Sequence, residues 1–242
     1  MAQATSYSLP LAIHGIAGAR AIILAAGVGA RLGISDAAPK SLLEFEGRSL
    51  MARHIALLTA RGVESISIGV GHKSGLIAAE PSRQTADITI RTVLNPRYRE
   101  HSMVTPWTMR EELTRGGDVL LMDADLLYNR RMLDRLGASS QVDSVLVGSD
   151  FEEDDAPVKL CRREGRIVKF RKIVRTRFGD CGDSVGFFRF SSATADALSD
   201  IVSALIRDGR NDEAYEEAIR DLLLGPRGED ISVVDVTGLP WI

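Results

Sequence analysis

Short runs dense in Ile, Val and Leu recur along this chain, and helical periodicity fills most of the intervals between them. The runs are AIIL at 21–24, SISIGV at 65–70, DITIRTVLN at 87–95, DVLLM at 118–122 and DSVLVG at 143–148. Turn-forming or charged residues bound each one, which is the signature of strands. In SLMARHIALLTARG, Leu50, Met51, Ile55 and Leu58 stand three or four apart, with Ser49 available as a cap and Gly62 as a stop. MVTPWTMREEL, with Pro106 near its start, is a weaker helix, and NRRMLDRLG (129–137) gathers Met132, Leu133 and Leu136 on one side. Strands alternating with helices predict a largely parallel sheet covered on both faces. Ligands of such sheets collect at the carboxyl ends of the strands.

From about residue 157 the texture changes. PVKLC, GRIVKFRKIV and DSVGFFRF read as strands joined by hairpins, an antiparallel insertion over about 157–190. Helices at roughly 192–208 and 212–224 and a last strand, ISVVDV at 231–236, follow. No repeat, low-complexity tract or linker divides the chain, so the expected organisation is an N-terminal extension over 1–20 and a single domain over 21–242. A length of 242 residues with 45% hydrophobic content is enough for a core of that size.

The net charge of -3 and pI near 5.9 give no global field for nucleic acid, so an anionic ligand must be met by local charge. Cys161 and Cys181 are too few for a disulfide framework and match no zinc spacing, which predicts reduced thiols. The first twenty residues lack a basic segment followed by an unbroken apolar stretch, and no apolar run elsewhere approaches ~20 residues. A soluble, cytoplasmic protein without membrane or nucleic-acid partners is expected.

The first strand runs into glycines in AIILAAGVGARLG (21–33). Gly27 and Gly29 can adopt positive φ and expose backbone N–H groups to phosphate oxygens, and Arg31 adds fixed positive charge. A dinucleotide fingerprint would need its third glycine one residue before Gly33, and the P-loop pattern is absent. A strand-to-helix turn without a ligand is the competing reading. Lys40, behind a proline in APK on a loop that should return toward the glycines, is hard to explain as core.

LAAGVGARLG followed by PKSLL resembles the signature of nucleotidyltransferases that move an NMP group from an NTP onto a phosphorylated small molecule. Their pattern is L-A-A-G-x-G-[ST]-R-[LM], then P-K-x-L; Ala30 stands here at the usual Ser/Thr position. GVESISIGVGHK, VLNPRY and LLMDADLLY follow at suitable spacings. The resemblance covers most of 21–242, strongest in the first hundred residues or so. It is closest to bacterial phosphocholine cytidylyltransferases and their phosphonate and alditol-phosphate relatives. It implies an α/β fold, a Rossmann-like three-layer sandwich with a mostly parallel central sheet and a small antiparallel insertion. It also implies that the backbone of Leu24, Ala25, Ala26 and Gly27 faces base and ribose, with Gly71 approaching the base. Gly29, Ala30 and Arg31 would take the β- and γ-phosphates, and Lys40 would neutralise the α-phosphate.

LLMDADLLY puts Asp123 and Asp125 on the same side of a strand ending at the ligand rim. Paired carboxylates there suit Mg²⁺, which binds through one or two carboxylates plus substrate phosphates. The alternative is a polar strand end that caps the next helix. The resemblance assigns the metal to Asp125 and leaves Asp123 with the nucleotide. It also implies a second aspartate after a GLPW segment, where this sequence reads VTGLPWI to Ile242.

GRIVKFRKIVRTR carries Arg166, Lys169, Arg171, Lys172, Arg175 and Arg177, either to capture an acceptor phosphate or as a solvated strand face. The resemblance singles out Lys172. The acidic run DFEEDD (150–155) and the lack of interleaved aromatics argue against nucleic acid. A quaternary ammonium needs aromatic faces, and the candidates are Trp107, Tyr128, Phe187, Tyr215 and Trp241. Tyr215 shares a helical face with Ile219 and Leu222 and so also reads as core. Glu216 and Glu217 flank that face and could counter a cationic or polyhydroxy group. Asp183 lies in a region that contacts the acceptor in relatives. SMVTPW replaces the relatives' N-N-x-x-S-L segment, which argues against copied phosphocholine specificity. His72 and His101 read as surface or structural residues.

The resemblance thus implies Mg²⁺-dependent transfer of CMP from CTP to a small phosphorylated or phosphonate acceptor, such as a phosphocholine-like molecule, 2-aminoethylphosphonate or an alditol phosphate. Pyrophosphate would leave by direct in-line attack. Arg31, Lys40 and Lys172 would be catalytic, and Trp107, Asp183, Tyr215 and Glu216 would hold the acceptor. A sugar-1-phosphate nucleotidyltransferase, a molybdenum-cofactor guanylyltransferase and a nucleotide-binding regulatory module stand as alternatives. A homodimer is left open.

Overall fold

The computed structural model describes residues 15–28, 38–80, 88–149, 157–172 and 180–242. The chain enters through β1 (Arg20–Ala25), a 3-10 turn (Lys40–Leu42) and a hairpin of β2 (Glu44–Phe45) and β3 (Arg48–Ser49). There follow α1 (Leu50–Thr59), β4 (Ser65–Val70), α2 (Ser74–Ala79), β5 (Thr89–Leu94), α3 (Val104–Thr108), α4 (Arg110–Leu113), β6 (Val119–Asp123), α5 (Arg131–Gly137) and β7 (Ser144–Gly148). The last part holds β8 (Lys159–Arg163), β9 (Arg166–Arg171), β10 (Asp180–Phe190), α6 (Ser192–Arg207), α7 (Glu216–Leu224) and β11 (Ser232–Asp235).

β1 lies inside the sheet because its residues are apolar toward both faces. Ile22 packs with Leu121, Phe188 and the α6–α7 side, while Ile23 packs with Ile68, Met51 and Leu133 on the α1–α5 side. Each such burial contributes about 1.5–3 kcal/mol. β1 pairs in parallel with β4 and β6, setting Leu24 opposite both Gly69 and Asp123. The full order is β11-β7-β10-β6-β1-β4-β5, with β8 joined to β10 and β9 to β8. Helices on both faces complete the expected layers. Ser49 caps α1 as the sequence implies: its hydroxyl accepts from the Ala52 N–H at 3.0 Å.

Two expectations need correcting. DSVGFFRF belongs to one eleven-residue strand, β10, whose first part pairs with β8 and whose second part inserts antiparallel between β6 and β7 in the central sheet. Phe187, Phe188 and Phe190 are buried, so this stretch needs cover on both faces and takes a central place. The thiols are not reduced. The register of β8 and β10 sets Cys161 opposite Cys181, and the two form a disulfide.

The end of the chain runs beside the segment after β6. Leu127 and Ile242 exchange backbone hydrogen bonds at 2.9 Å, and Tyr128 bridges to Trp241. Among the described residues no helix is long and apolar enough to cross a membrane.

His54 on α1 is fully buried against Tyr128 and Phe187, with ring centroids at 5.2 and 6.0 Å. Burial pushes its imidazole down to about 4. Because the unfolded chain binds the proton first, this histidine's contribution is fully present above about pH 6.5 and is lost as pH falls toward 4. Urea titrations at pH 7 and pH 5 should show the wild type losing about 2 kcal/mol more than His54→Leu. Parallel losses in the two proteins would contradict this.

Candidate functional site

The carboxyl ends of β1 and β6 open into a cleft of about 500 Å³. Leu24, Ala25, Ala26 and Gly27 form one wall, Asp123 and Asp125 another, and the loop after β5 (Tyr98–Ser102) a third. Gly29, Ala30 and Arg31 lie outside the described residues. Gly71 sits behind the wall rather than in it. A Cβ there would stand 2.4 Å from the Tyr98 Cβ and 2.7 Å from the Ala26 carbonyl oxygen, so only glycine lets these two approach. The Ala26 carbonyl also accepts the His72 N–H at 3.2 Å.

Lys40 begins the 3-10 turn and reaches across the cleft, its Nζ 3.4 Å from Asp125 Oδ2. The Asp125 side chain is 46% exposed, whereas Asp123 two residues earlier points inward. The Tyr215 hydroxyl donates to Asp123 Oδ1 at 2.8 Å. Burial, then the carboxylates of Glu216 and Asp125, push the Asp123 carboxyl well above the usual carboxylate range; the Tyr215 bond and Lys172 offset part of this. Burial and Asp123 likewise push the Tyr215 phenol upward, which keeps it a donor.

Asp123, Asp125, Tyr215 and Glu216 also wall a second cavity of about 340 Å³, completed by Lys172, Phe170, Ser184, Trp241 and others. The two cavities therefore meet at one set of side chains, with Lys40 on the first side and Lys172 on the second. Glu216 Oε2 is shielded from solvent and has no hydrogen-bond partner among the described residues.

Other sequence candidates lie elsewhere. Asp183 is 4% exposed and forms a 2.6 Å ion pair with Lys159, its neighbour across β8 and β10. Trp107 lies under the Arg97 and Arg110 guanidiniums, 5.6 and 4.8 Å from its ring centre. Tyr128 and Phe187 pack edge to face at 4.7 Å beside His54. None of these four lines either cavity.

Residues the sequence reading passed over do line the cleft: Tyr98, Arg99, Glu100, Ser102, and His101, which was expected to be surface or structural. Asn95 holds their loop. Fully buried, it accepts the Arg97 N–H at 2.9 Å and donates to Thr105 Oγ1 at 3.2 Å. The Asn-Pro pair directly after a strand was the available signal, since it starts a turn at a ligand-bearing end.

Among the described residues no group of three or more His, Cys, Asp or Glu is arranged to hold a metal alone. The donor set is instead one exposed and one half-buried carboxylate, with excess negative charge and an open cleft beside them. That suits a hard cation such as Mg²⁺, which would complete its shell with ligand oxygens and water.

A family model described as a MobA-like NTP transferase domain matches residues 21–173. A CMP-5'-(3-aminopropyl)phosphonate synthase from Streptomyces rubellomurinus (strain ATCC 31215) is 31% identical over 127 residues, 52% of this chain and 20% of that protein. The chain thus spans about a fifth of that relative's length. The inositol-1-phosphate CTP transferase from T. maritima superposes with a TM-score of 0.72 at 18% identity, covering 94% of this chain and 89% of that one. The CTP:phosphocholine cytidylyltransferase from Streptococcus pneumoniae gives 0.68 at 19% identity, covering 92% of each. These structural likenesses show the fold, the Rossmann-like sandwich expected from the sequence.

Gly186 makes the inward position of Asp123 feasible. It sits at φ +79° where β10 loses register, and a Cβ there would lie 2.2 Å from Asp123 Oδ2. Gly186→Ala is expected to lower stability by about 1–3 kcal/mol from backbone strain, and more if the carboxylate cannot move aside. An unchanged urea midpoint would contradict this placement.

Proposed function

The chain belongs to the MobA-like NTP transferase domain family, and from that premise we propose that it transfers CMP from CTP to a small phosphorylated or phosphonate acceptor that also carries a positive charge. The observation that carries this reading is the pair of cavities joined at Asp123, Asp125, Tyr215 and Glu216. Transfer between two anionic substrates needs them in separate pockets that meet at the reacting phosphorus, with cations beside that point. Lys40 and Lys172 stand on its two sides. The choice of CTP rests on the three relatives described above, which are named for CTP or CMP; a putative glucose-1-phosphate thymidylyltransferase from Bacillus anthracis has the same fold, with a TM-score of 0.72 at 14% identity, which is why sugar phosphates enter the test below.

In the reaction an acceptor oxygen forms a bond to the α-phosphorus of CTP while the bond to the pyrophosphate oxygen breaks, so no covalent enzyme intermediate is needed. Lys40, paired with Asp125 in the free protein, exchanges that partner for the α-phosphate when nucleotide enters. Arg31 takes the β- and γ-phosphates. Lys172 holds the acceptor phosphate or phosphonate and aligns its oxygen. When bound by Asp125 with Asp123 behind it, Mg²⁺ would supply charge neutralisation of the triphosphate.

The acceptor cavity favours an ammonium over a polyol. It sets the Glu216 oxygen, without a partner among the described residues, and the half-buried Asp123 beside the Tyr215 and Trp241 rings. A single anionic group on Lys172 and a cationic group at Glu216 describe an aminoalkylphosphonate or phosphocholine better than an alditol phosphate.

Pyrophosphate release measured for each NTP against 2-aminoethylphosphonate, phosphocholine, an alditol phosphate and glucose-1-phosphate tests this. Turnover with CTP and an aminated acceptor is expected; turnover confined to sugar phosphates would overturn it. Lys40→Ala should cut kcat by about 100-fold, about 2.7 kcal/mol in the transition state, with little change in melting temperature. A folded variant with near-normal turnover would remove Lys40 from the mechanism.

A further inference from the structure

The loop that walls the nucleotide cleft is tied to the segment that begins α7. Tyr215 donates its backbone N–H to Ser102 Oγ at 3.0 Å, across more than a hundred residues of sequence. Met103 donates its N–H to the Glu213 carbonyl at 3.2 Å, and Asn211 Nδ2 donates to Glu100 Oε2 at 2.7 Å. The first turn of α7 has no side-chain cap of its own. An orphan amide at a helix start needs an outside acceptor, and here the nucleotide loop provides it. The two residues that this contact places are part of the wall shared with the acceptor cavity: Tyr215, whose hydroxyl holds Asp123, and Glu216, which lines both cavities.

We propose that Ser102 is a positioning residue for the acceptor. Its hydroxyl fixes the backbone of Tyr215, and through it sets the Tyr215–Asp123 contact and the direction of Glu216. Although Ser102 lines the nucleotide cleft, its removal is felt mainly across the wall, in acceptor affinity. This rests on the cytidylyl-transfer reading above.

The test is steady-state pyrophosphate release by the full chain with Mg²⁺, CTP and 2-aminoethylphosphonate or phosphocholine, whichever the wild type uses. Ser102→Ala should raise the acceptor KM about five- to tenfold while the CTP KM moves less than twofold, and Ser102→Thr, which keeps the hydroxyl, should restore it. Hydrogen exchange should quicken at the start of α7 in Ser102→Ala and not in α6. Asn211→Ala cuts the exposed Glu100 contact instead and should shift the acceptor KM in the same direction by a smaller factor, which serves if Ser102→Ala does not fold. Unchanged acceptor KM, equal shifts for both substrates, or failure of Ser102→Thr to rescue would overturn the inference and leave cytidylyl transfer standing. Silence of the wild type with every acceptor would overturn the functional reading and this inference together.

Discussion

The hydrogen bond from Tyr215 to the half-buried carboxylate of Asp123 joins the end of a strand inside the sheet to the start of a covering helix. Asp123 ends β6, a strand fixed on both sides by β1 and β10, whereas Tyr215 stands at the start of α7 on one face of the sheet. A carboxylate half-buried at the foot of a cleft is costly unless it is hydrogen-bonded. Tyr215 supplies the donor, and Gly186 supplies the space. The wall between the two cavities is built from this arrangement, so the sheet, the bulge in β10 and the placement of α7 converge on one group.

Around that wall the balance of charge is unequal. Asp123, Asp125 and Glu216 face two lysines, Lys40 and Lys172, and the inward carboxyl is pushed up first by burial and then by its negative neighbours Glu216 and Asp125. Such a site is unfinished without cationic ligand chemistry. A hard cation arriving with a triphosphate on one side, and an ammonium-bearing anion on the other, would relieve both halves of the excess. The same electrostatics that make the free site strained would make the loaded one favourable.

Much of this was legible in the sequence, for identifiable reasons. The parallel strands announce themselves because AIIL and DVLLM are apolar toward both faces and SISIGV alternates Ile and Val with small residues, patterns that a covered sheet accommodates. The glycine loop, Lys40 and Asp125 carry a dense local signature. The place of β10 was harder, because a strand that serves both an insertion and the central sheet looks locally like either one. The pairing of Cys161 with Cys181 depends on the register of strands twenty residues apart, which spacing does not encode. Asp183 and Trp107 lie away from both cavities for a shared reason: residue type proposed a role, while other strands and loops bring them Lys159, Arg97 and Arg110 as partners. Ser102 gave no sign at all, since its contact with Tyr215 exists only in three dimensions.

The most direct test of the account is a crystal structure with Mg²⁺, a non-hydrolysable CTP analogue and 2-aminoethylphosphonate. The α-phosphate is expected at the wall shared by the two cavities, beside Lys40, with the phosphonate on Lys172 and its amine toward Glu216. Nucleotide seated away from Asp125, or both ligands competing for one cavity, would contradict it.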